Sequence, residues 1–219
     1  MPDTLRDTLQ REQIALPEAT IDRLDAYCAL LWEWNERLNL TRHTDYERFV
    51  QRDLRDTLVL SEHLAERERV LDVGTGGGVP GVVLALLRDD LHIELCESVG
   101  KKARAVKDIV ERLGLRTAVH HARAEDLLAR LPERRRFDTL VARAVARLPK
   151  LLTWFAPRWD RFDRILLVKG PSWVEERAEA RHRGLLKPLA LRRLTTYPLP
   201  GTDSESVLLM IHPKARGEG

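Results

Sequence analysis

The spacing of apolar positions changes period once along this chain, near residue 68. Before it, apolar residues recur every three or four positions, as in Leu24, Tyr27, Cys28, Leu31, Trp34 and Leu38, and again in Phe49, Leu54, Leu58 and Leu64. That period lays one apolar stripe along each of several helices, so residues 1–68 are expected to form an N-terminal helical appendage. From Arg69 onward, short apolar runs take over: VLDVG (70–74), IELCE (93–97), AVHHA (118–122), DTLVA (138–142) and ILLVKG (165–170). Amphipathic stretches at 82–87, 101–113, 125–131, 147–159 and 173–183 separate or follow them. Strand and helix in alternation specify a mostly parallel sheet covered on both faces, so residues 69–219 are expected to form the α/β domain. The end differs: LALRRLTTYPL (189–199) and SVLLMIH (206–212) both have strand patterns, and PGTDSE between them is too short for a helical crossover. They are expected to pair as an antiparallel hairpin, which brings the sheet to seven strands.

Composition narrows the class. A chain of 219 residues suits one sizeable α/β core with a modest addition. No apolar run approaches the ~20 residues of a membrane span, and MPDTLRDTLQREQ has no secretory pattern, which predicts a cytoplasmic address. Cys28 and Cys96 stand far apart without a CxxC or a His/Cys cluster, so both are expected as small buried hydrophobes and no metal is expected. Net charge is only +3, so a nucleic-acid surface has to be local. Arg134, Arg135 and Arg136, the pair Arg192 and Arg193, and Lys214 with Arg216 are the candidates.

Chemistry concentrates in DVGTGGGVPG (72–81). Gly74, Gly76 and Gly78 let the backbone turn tightly and meet a ligand closely, and a helix is expected to start near Val79 and Pro80 with free N–H groups for a carboxylate. GGGVPG also satisfies the dinucleotide pattern GxGxxG, which alone is weak. Asp72 tips the balance: an acidic side chain there suits a cofactor with an α-amino group and would repel a pyrophosphate. With the terminal hairpin, this points to a class I, Rossmann-like fold that binds S-adenosylmethionine. Glu97, at the tip of the second strand and 19 residues past Gly78, is placed to accept ribose hydroxyls. ARAED (122–126) follows the third strand, where Ala124 and Glu125 would meet adenine. Arg143, in VARAVARL after the fourth strand, is expected at the ligand edge of the sheet, facing a cofactor carboxylate, a phosphate or guanine O6. Lys169 and Gly170 close the fifth strand near a substrate phosphate.

With these residues in place, the sequence resembles the bacterial small-subunit rRNA guanine-N7 methyltransferases, also called the glucose-inhibited division protein B family. The resemblance runs through EWNERLNLT (33–41), FVQRDLRDTL (49–58), DVGTGGGVPG, ESVGKKARAVKDIVERLGL (97–115), ARAED, ARA (142–144) and VKG (168–170). It implies methyl transfer to N7 of guanine 527 in 16S rRNA, on the free rRNA or the small ribosomal subunit, by a monomer. It also implies cofactor contacts at Gly74, Val79, Ala124, Glu125 and Arg143. The chain departs from the family pattern in RDLRDTL, where Asp53 stands at a usual histidine, in TRHTD, where TAITD is typical, and at Ala142, where serine is usual.

Guanine N7 carries a free lone pair, so no general base is required and catalysis rests on alignment and exclusion of water. No catalytic acid or base is assigned; Arg143 and Lys169 position the substrate. Arg42, Arg52, Arg55 and Lys169 are the expected phosphate contacts, and Trp32, Trp34, His43 and Trp173 the expected stacking surfaces. Three other readings stay open: a methyltransferase of another RNA, a protein or a small molecule; an NAD-dependent oxidoreductase; and an inactive adenosine-binding module.

Overall fold

The computed structural model describes residues 3–200 and 203–215. Gly201 and Thr202 of the expected joint PGTDSE, and Arg216, therefore lie outside the described residues.

The N-terminal region is helical as its period predicts. It contains α1 (Leu5–Arg11), α2 (Glu18–Asn35), the short α3 (Tyr46–Arg48) and α4 (Arg55–Ser61), with a π-helical segment (Phe49–Leu54) between the last two. Thr4 caps α1 in a capping box: its hydroxyl accepts from the Asp7 N–H, and the Asp7 carboxylate accepts from the Thr4 N–H.

From residue 69, strands and helices alternate: β1 (Arg69–Val73), α5 (Gly81–Leu87), β2 (His92–Glu97), α6 (Gly100–Arg112), β3 (Ala118–His121), α7 (Ala124–Arg130), β4 (Phe137–Arg143), α8 (Leu148–Phe155), β5 (Phe162–Lys169) and α9 (Trp173–His182). The expected helix over 147–159 is divided, because α8 gives way to a 3₁₀ segment at Ala156–Arg161. Pro157 lacks the N–H that would continue the α-helical ladder. The chain closes with β6 (Leu189–Pro198) and β7 (Glu205–Pro213), which pair antiparallel as predicted.

The seven strands form one sheet in the order β3-β2-β1-β4-β5-β7-β6. β1 to β5 are parallel, and the hairpin joins through antiparallel β7 against β5. The order reverses between β2-β1 and β4, which places a ligand crevice at the carboxyl ends of these strands.

Successive strand residues serve opposite faces. Leu166, Val168 and Leu208 belong to one apolar cluster, whereas Ile165, Leu167, Val207 and Leu209 belong to the other. The first cluster takes in Leu5, Leu24, Leu31, Phe49 and Leu60 with residues of α5 and α6, so the N-terminal helices share a core with one face of the sheet. Helices α7, α8 and α9 cover the other. Each such buried Leu or Phe contributes about 1.5–3 kcal/mol. Both cysteines are buried and unpaired, as expected. Among the described residues no helix is long and apolar enough to cross a membrane.

Candidate active site

The glycine loop leaves β1 at the centre of the crevice. Gly74, Gly76 and Gly78 have φ of 67°, 57° and 110°, which an L side chain rarely adopts. A Cβ on Gly74 would stand 2.8 Å from Val145, and one on Gly78 2.6 Å from Val82. The Gly74 and Thr75 N–H groups donate to Cys96 O at 2.8 and 3.2 Å and tie the loop to β2.

The N-terminal helices hold this loop from behind. Tyr27, fully buried in α2, donates its hydroxyl to Gly77 O at 3.1 Å, and Leu31 and Leu40 close over Gly77. The Asn35 side chain accepts from the N–H groups of Leu40 and Thr41 at 2.8 and 3.0 Å, folding 36–41 into the turn that presents Leu40. The segment WNERLNLT is thus a support for the glycine loop.

The helix begins at Gly81 with Pro80 as its cap, near the expected start. The carboxylate expected at its N-terminus is corrected, because the one its leading N–H holds is the chain's own: Asp72 Oδ2 accepts from Gly81 N at 2.9 Å. Asp72 is completely buried, so its charge shapes the loop from inside instead of facing a ligand in the open crevice. Burial pushes its carboxyl up to about 6, against the Thr75 hydroxyl, the Gly81 N–H and Arg143.

Glu97 stands at the end of β2 as predicted. Its carboxylate accepts one N–H per oxygen, from Gly76 at 3.0 Å and Val99 at 2.8 Å. Each oxygen keeps a further lone pair, so the group is anchored and still able to receive hydroxyls. Ala124 and Glu125, the first residues of α7, line a narrow cleft with Gly74, Ser98, Val145 and Trp154. Gly74, Glu97, Ala124 and Glu125 therefore meet along one side of the crevice. Val79 sits behind them, packed against the core. A glycine loop without Cβ atoms, an anchored carboxylate one strand away and a small apolar cleft beyond it fit an adenosine bearing an amino-acid tail.

The other side of the crevice is a cleft of about 600 Å³ at the carboxyl ends of β4 and β5. Here the expected role of Arg143 is corrected. Arg143 lines the cleft with its side chain 19% exposed, but its guanidinium is held by the chain's own carboxylates: Nη2 lies 2.6 Å from Asp53 Oδ1 and Nη1 3.1 Å from Asp56 Oδ2. Burial opposes the charge, but Asp53 and Asp56 outweigh it and raise the Arg143 pKa. In this wall two carboxylates thus stand against one guanidinium.

The π-helical segment carries Asp53 and leads into α4, where Asp56 sits three residues on, so both carboxylates face one way. His43 Nδ1 lies 2.8 Å from Asp53 Oδ1, and the Tyr197 hydroxyl, from the hairpin, donates to Asp56 Oδ1 at 2.7 Å. Two of the departures from the family pattern, His43 and Asp53, are thus partners in space. Ala144, next to Arg143, has φ 53°, a strained conformation for a residue with a Cβ at the rim of the cleft.

The phosphate candidates separate. Arg42 and Arg52 line adjoining clefts with His43, and neither forms an ion pair among the described residues. Arg55 is corrected: it pairs with Glu12 at 2.9 Å, away from the cleft. Lys169 lines the cleft, but its side chain is only 10% exposed and its ammonium is taken by Glu176 Oε2 and Ala146 O, both at 2.7 Å, so it binds the β4 and β5 loops together rather than standing free. Burial opposes ionisation of Glu176, yet Lys169 and the Leu148 N–H hold its carboxyl below the usual range.

Of the four expected stacking rings only His43 lines the cleft. Trp32 donates to His43 O at 2.9 Å, Trp34 to Asp108 at 2.7 Å, and Trp173 is buried beneath Arg177. Arg135 and Arg136 are engaged by Glu94 and Asp163.

Residues 20–196 match the family model described as rRNA small subunit methyltransferase G. A protein of that name from Rhodopirellula baltica is 49% identical over 200 residues, covering 91% of this chain and 85% of that protein. Its counterpart from Serratia proteamaculans is 32% identical over 221 residues, covering 100% and 96%. Among solved structures, M. capricolum TrmK in complex with S-adenosyl-homocysteine shares the fold at a TM-score of 0.56 and 12% identity, over 72% of this chain and 67% of that one. A Streptococcus thermophilus rRNA methylase does so at 0.52 and 17%, over 75% and 98%. The match over most of the chain, with a glycine loop, an anchored strand-end carboxylate and a class I sheet, establishes that this protein belongs to the rRNA small subunit methyltransferase G family, an S-adenosylmethionine-dependent methyltransferase.

Proposed function

We propose that this enzyme methylates N7 of a guanine in 16S rRNA, the family target being guanine 527, acting in the cytoplasm as a monomer on rRNA or the small ribosomal subunit. The observation that carries this reading is the division of one crevice into two unlike halves. The glycine loop, Glu97, Ala124 and Glu125 bound a cofactor side, whereas His43, Arg52 and the Arg143 carboxylate pair bound a substrate side.

When bound, S-adenosylmethionine supplies an electrophilic methyl on a sulfonium. Gly74, Gly76, Gly78 and Val79 shape the seat of its amino-acid end, and Asp72 fixes that seat through Gly81. Glu97 receives the ribose, and Ala124 and Glu125 bound the adenine. On the substrate side, Arg42 and Arg52 hold phosphates flanking a splayed guanine and His43 packs against the base. N7 needs no proton removed, and the crevice accordingly supports alignment rather than proton transfer. The carboxylates of Asp53 and Asp56 exceed the charge of Arg143 and favour the cationic purine that forms. Residues 1–68 act here as the substrate-side wall and loop support, and residues 69–219 as the cofactor-binding domain.

The test is methyl transfer by the purified protein to small-subunit rRNA from a strain lacking its gene, mapped by borohydride and aniline cleavage. One new stop at a single guanine is expected; incorporation without cleavage would overturn the N7 assignment.

A further inference from the structure

A second basic surface lies at the opposite end of the sheet. Arg177 and Arg181 on α9 are four residues apart and so share one face of that helix. They line a groove of about 440 Å³ with Lys187, Arg192 and Lys214. Five cations and four apolar residues bound this groove, with no acidic side chain. None of the five forms an ion pair among the described residues; Arg177 instead lies over the Trp173 ring at 4.9 Å. In a chain whose net charge is only +3, five uncompensated cations in one groove are a concentrated positive field.

The hairpin register fixes where the groove stands. Leu189 and Ala190 pair with Pro213 and His212 at one end of the hairpin, whereas Val207, at the other end, pairs with Lys169 beside the catalytic cleft. The Lys214 N–H donates to Pro188 O at 3.0 Å, which pins its segment against the start of β6. Ser206, which lines the catalytic cleft, and Lys214 are separated along an extended strand by eight residues, roughly 26 Å at ~3.3 Å each. The groove therefore belongs to neither half of the crevice.

We infer that this groove is a second RNA-docking surface, which holds the phosphate backbone of the same rRNA whose target base enters the cleft. It has no carboxylate to read base donors and no exposed ring for stacking, since Trp173 is buried, so it recognises charge and not sequence. This rests on the rRNA reading above and extends it: the one substrate is engaged at two separate points, by its target base in the cleft and by its backbone in the groove.

β6 is an edge strand, and its charges also guard against edge-to-edge pairing. Reversing them separates the two roles, because glutamate keeps the edge charged while repelling phosphate. For R181E/R192E, the plot of log affinity for deproteinised small-subunit rRNA against log salt is expected to be shallower by about 1.5–2. Its kcat/KM on that RNA falls at least ten-fold at moderate salt, with kcat at saturating RNA, S-adenosylhomocysteine affinity and the thermal midpoint unchanged. An unchanged salt slope and kcat/KM would overturn the proposal, as would self-association with normal RNA affinity. If the wild type itself methylates no rRNA, the function proposed above falls. An active wild type with an indifferent R181E/R192E leaves that function standing and removes only the groove.

Discussion

His43 Nδ1 lies 2.8 Å from Asp53 Oδ1, and the same oxygen receives Arg143 Nη2 at 2.6 Å. One buried carboxylate oxygen thus links the N-terminal turn at the cleft mouth to the end of β4. The wall of the cleft is a network, so its members are expected to fail together rather than one at a time.

The pairing predicts strong coupling between positions 43 and 53. H43I strips the ring from the cleft, and D53H sets a second ring beside His43 while removing a counter-charge of Arg143. The double substitution H43I/D53H restores one ring and one apolar neighbour. Each single variant should lose at least ten-fold in kcat/KM on rRNA, and the double should lose little more than D53H alone, because both residues act through one Asp53 oxygen. Additive losses in a double-mutant cycle would show that the two residues act independently.

Arg143 is the shared counter-charge of two buried carboxylates, so R143A should destabilise the fold by about 3–5 kcal/mol in urea titration. R143K keeps the charge without the fork and should lie between R143A and the wild type. Y197F, which removes one donor to Asp56, should cost only about 1 kcal/mol. Equal stability of R143A and R143K would mean that the two-pronged geometry contributes nothing.

Within the glycine loop the order of sensitivity is set by space. All three positive-φ glycines strain an added side chain, but a Cβ at Gly74 also strikes Val145, whereas one at Gly76 meets nothing nearer than 4.0 Å. G74A should weaken S-adenosylhomocysteine binding by calorimetry more than ten-fold, and G76A distinctly less. The reverse order would be inconsistent with this loop geometry.

Asp72 makes a pH signature. Its carboxyl is raised from 3.8 to about 6, so between those values the folded protein keeps a proton that the unfolded chain loses. Stability from this group therefore falls as pH climbs through that window and is level above it. D72N should gain thermal stability relative to the wild type over the same window, by up to about 3 kcal/mol, since each pKa unit corresponds to ~1.4 kcal/mol. Parallel melting curves at pH 4 and pH 7 check this, and a difference independent of pH would refute it.

Much of this molecule was legible along the chain. The period change near residue 68, the alternation after it and the short terminal joint led to the helices, the parallel strands and the hairpin, because side-chain periodicity records which residues face a core. The glycine loop, Glu97, Ala124 and Glu125 were readable for a related reason: they lie within two consecutive βαβ units, where local geometry fixes their relation. Asp56 had a faint signal, three residues after Asp53 on one helical face.

What the chain order could not supply were the partners. Arg143 meets Asp53 and Asp56 some ninety residues earlier, and Tyr197 reaches Asp56 across 141. Isolated charges in a sequence read as ligand contacts. Only the folded arrangement decides whether desolvation has already matched them to each other, as it has for Arg143, Lys169 and Arg55, or left them uncompensated, as at Arg52 and in the groove around Arg181. The sequence determined the frame and the glycine-loop side of the crevice, because those depend on periodicity and short-range spacing. The substrate side was decided by tertiary structure, because there each charge takes its role from a neighbour that the chain brings in from far away.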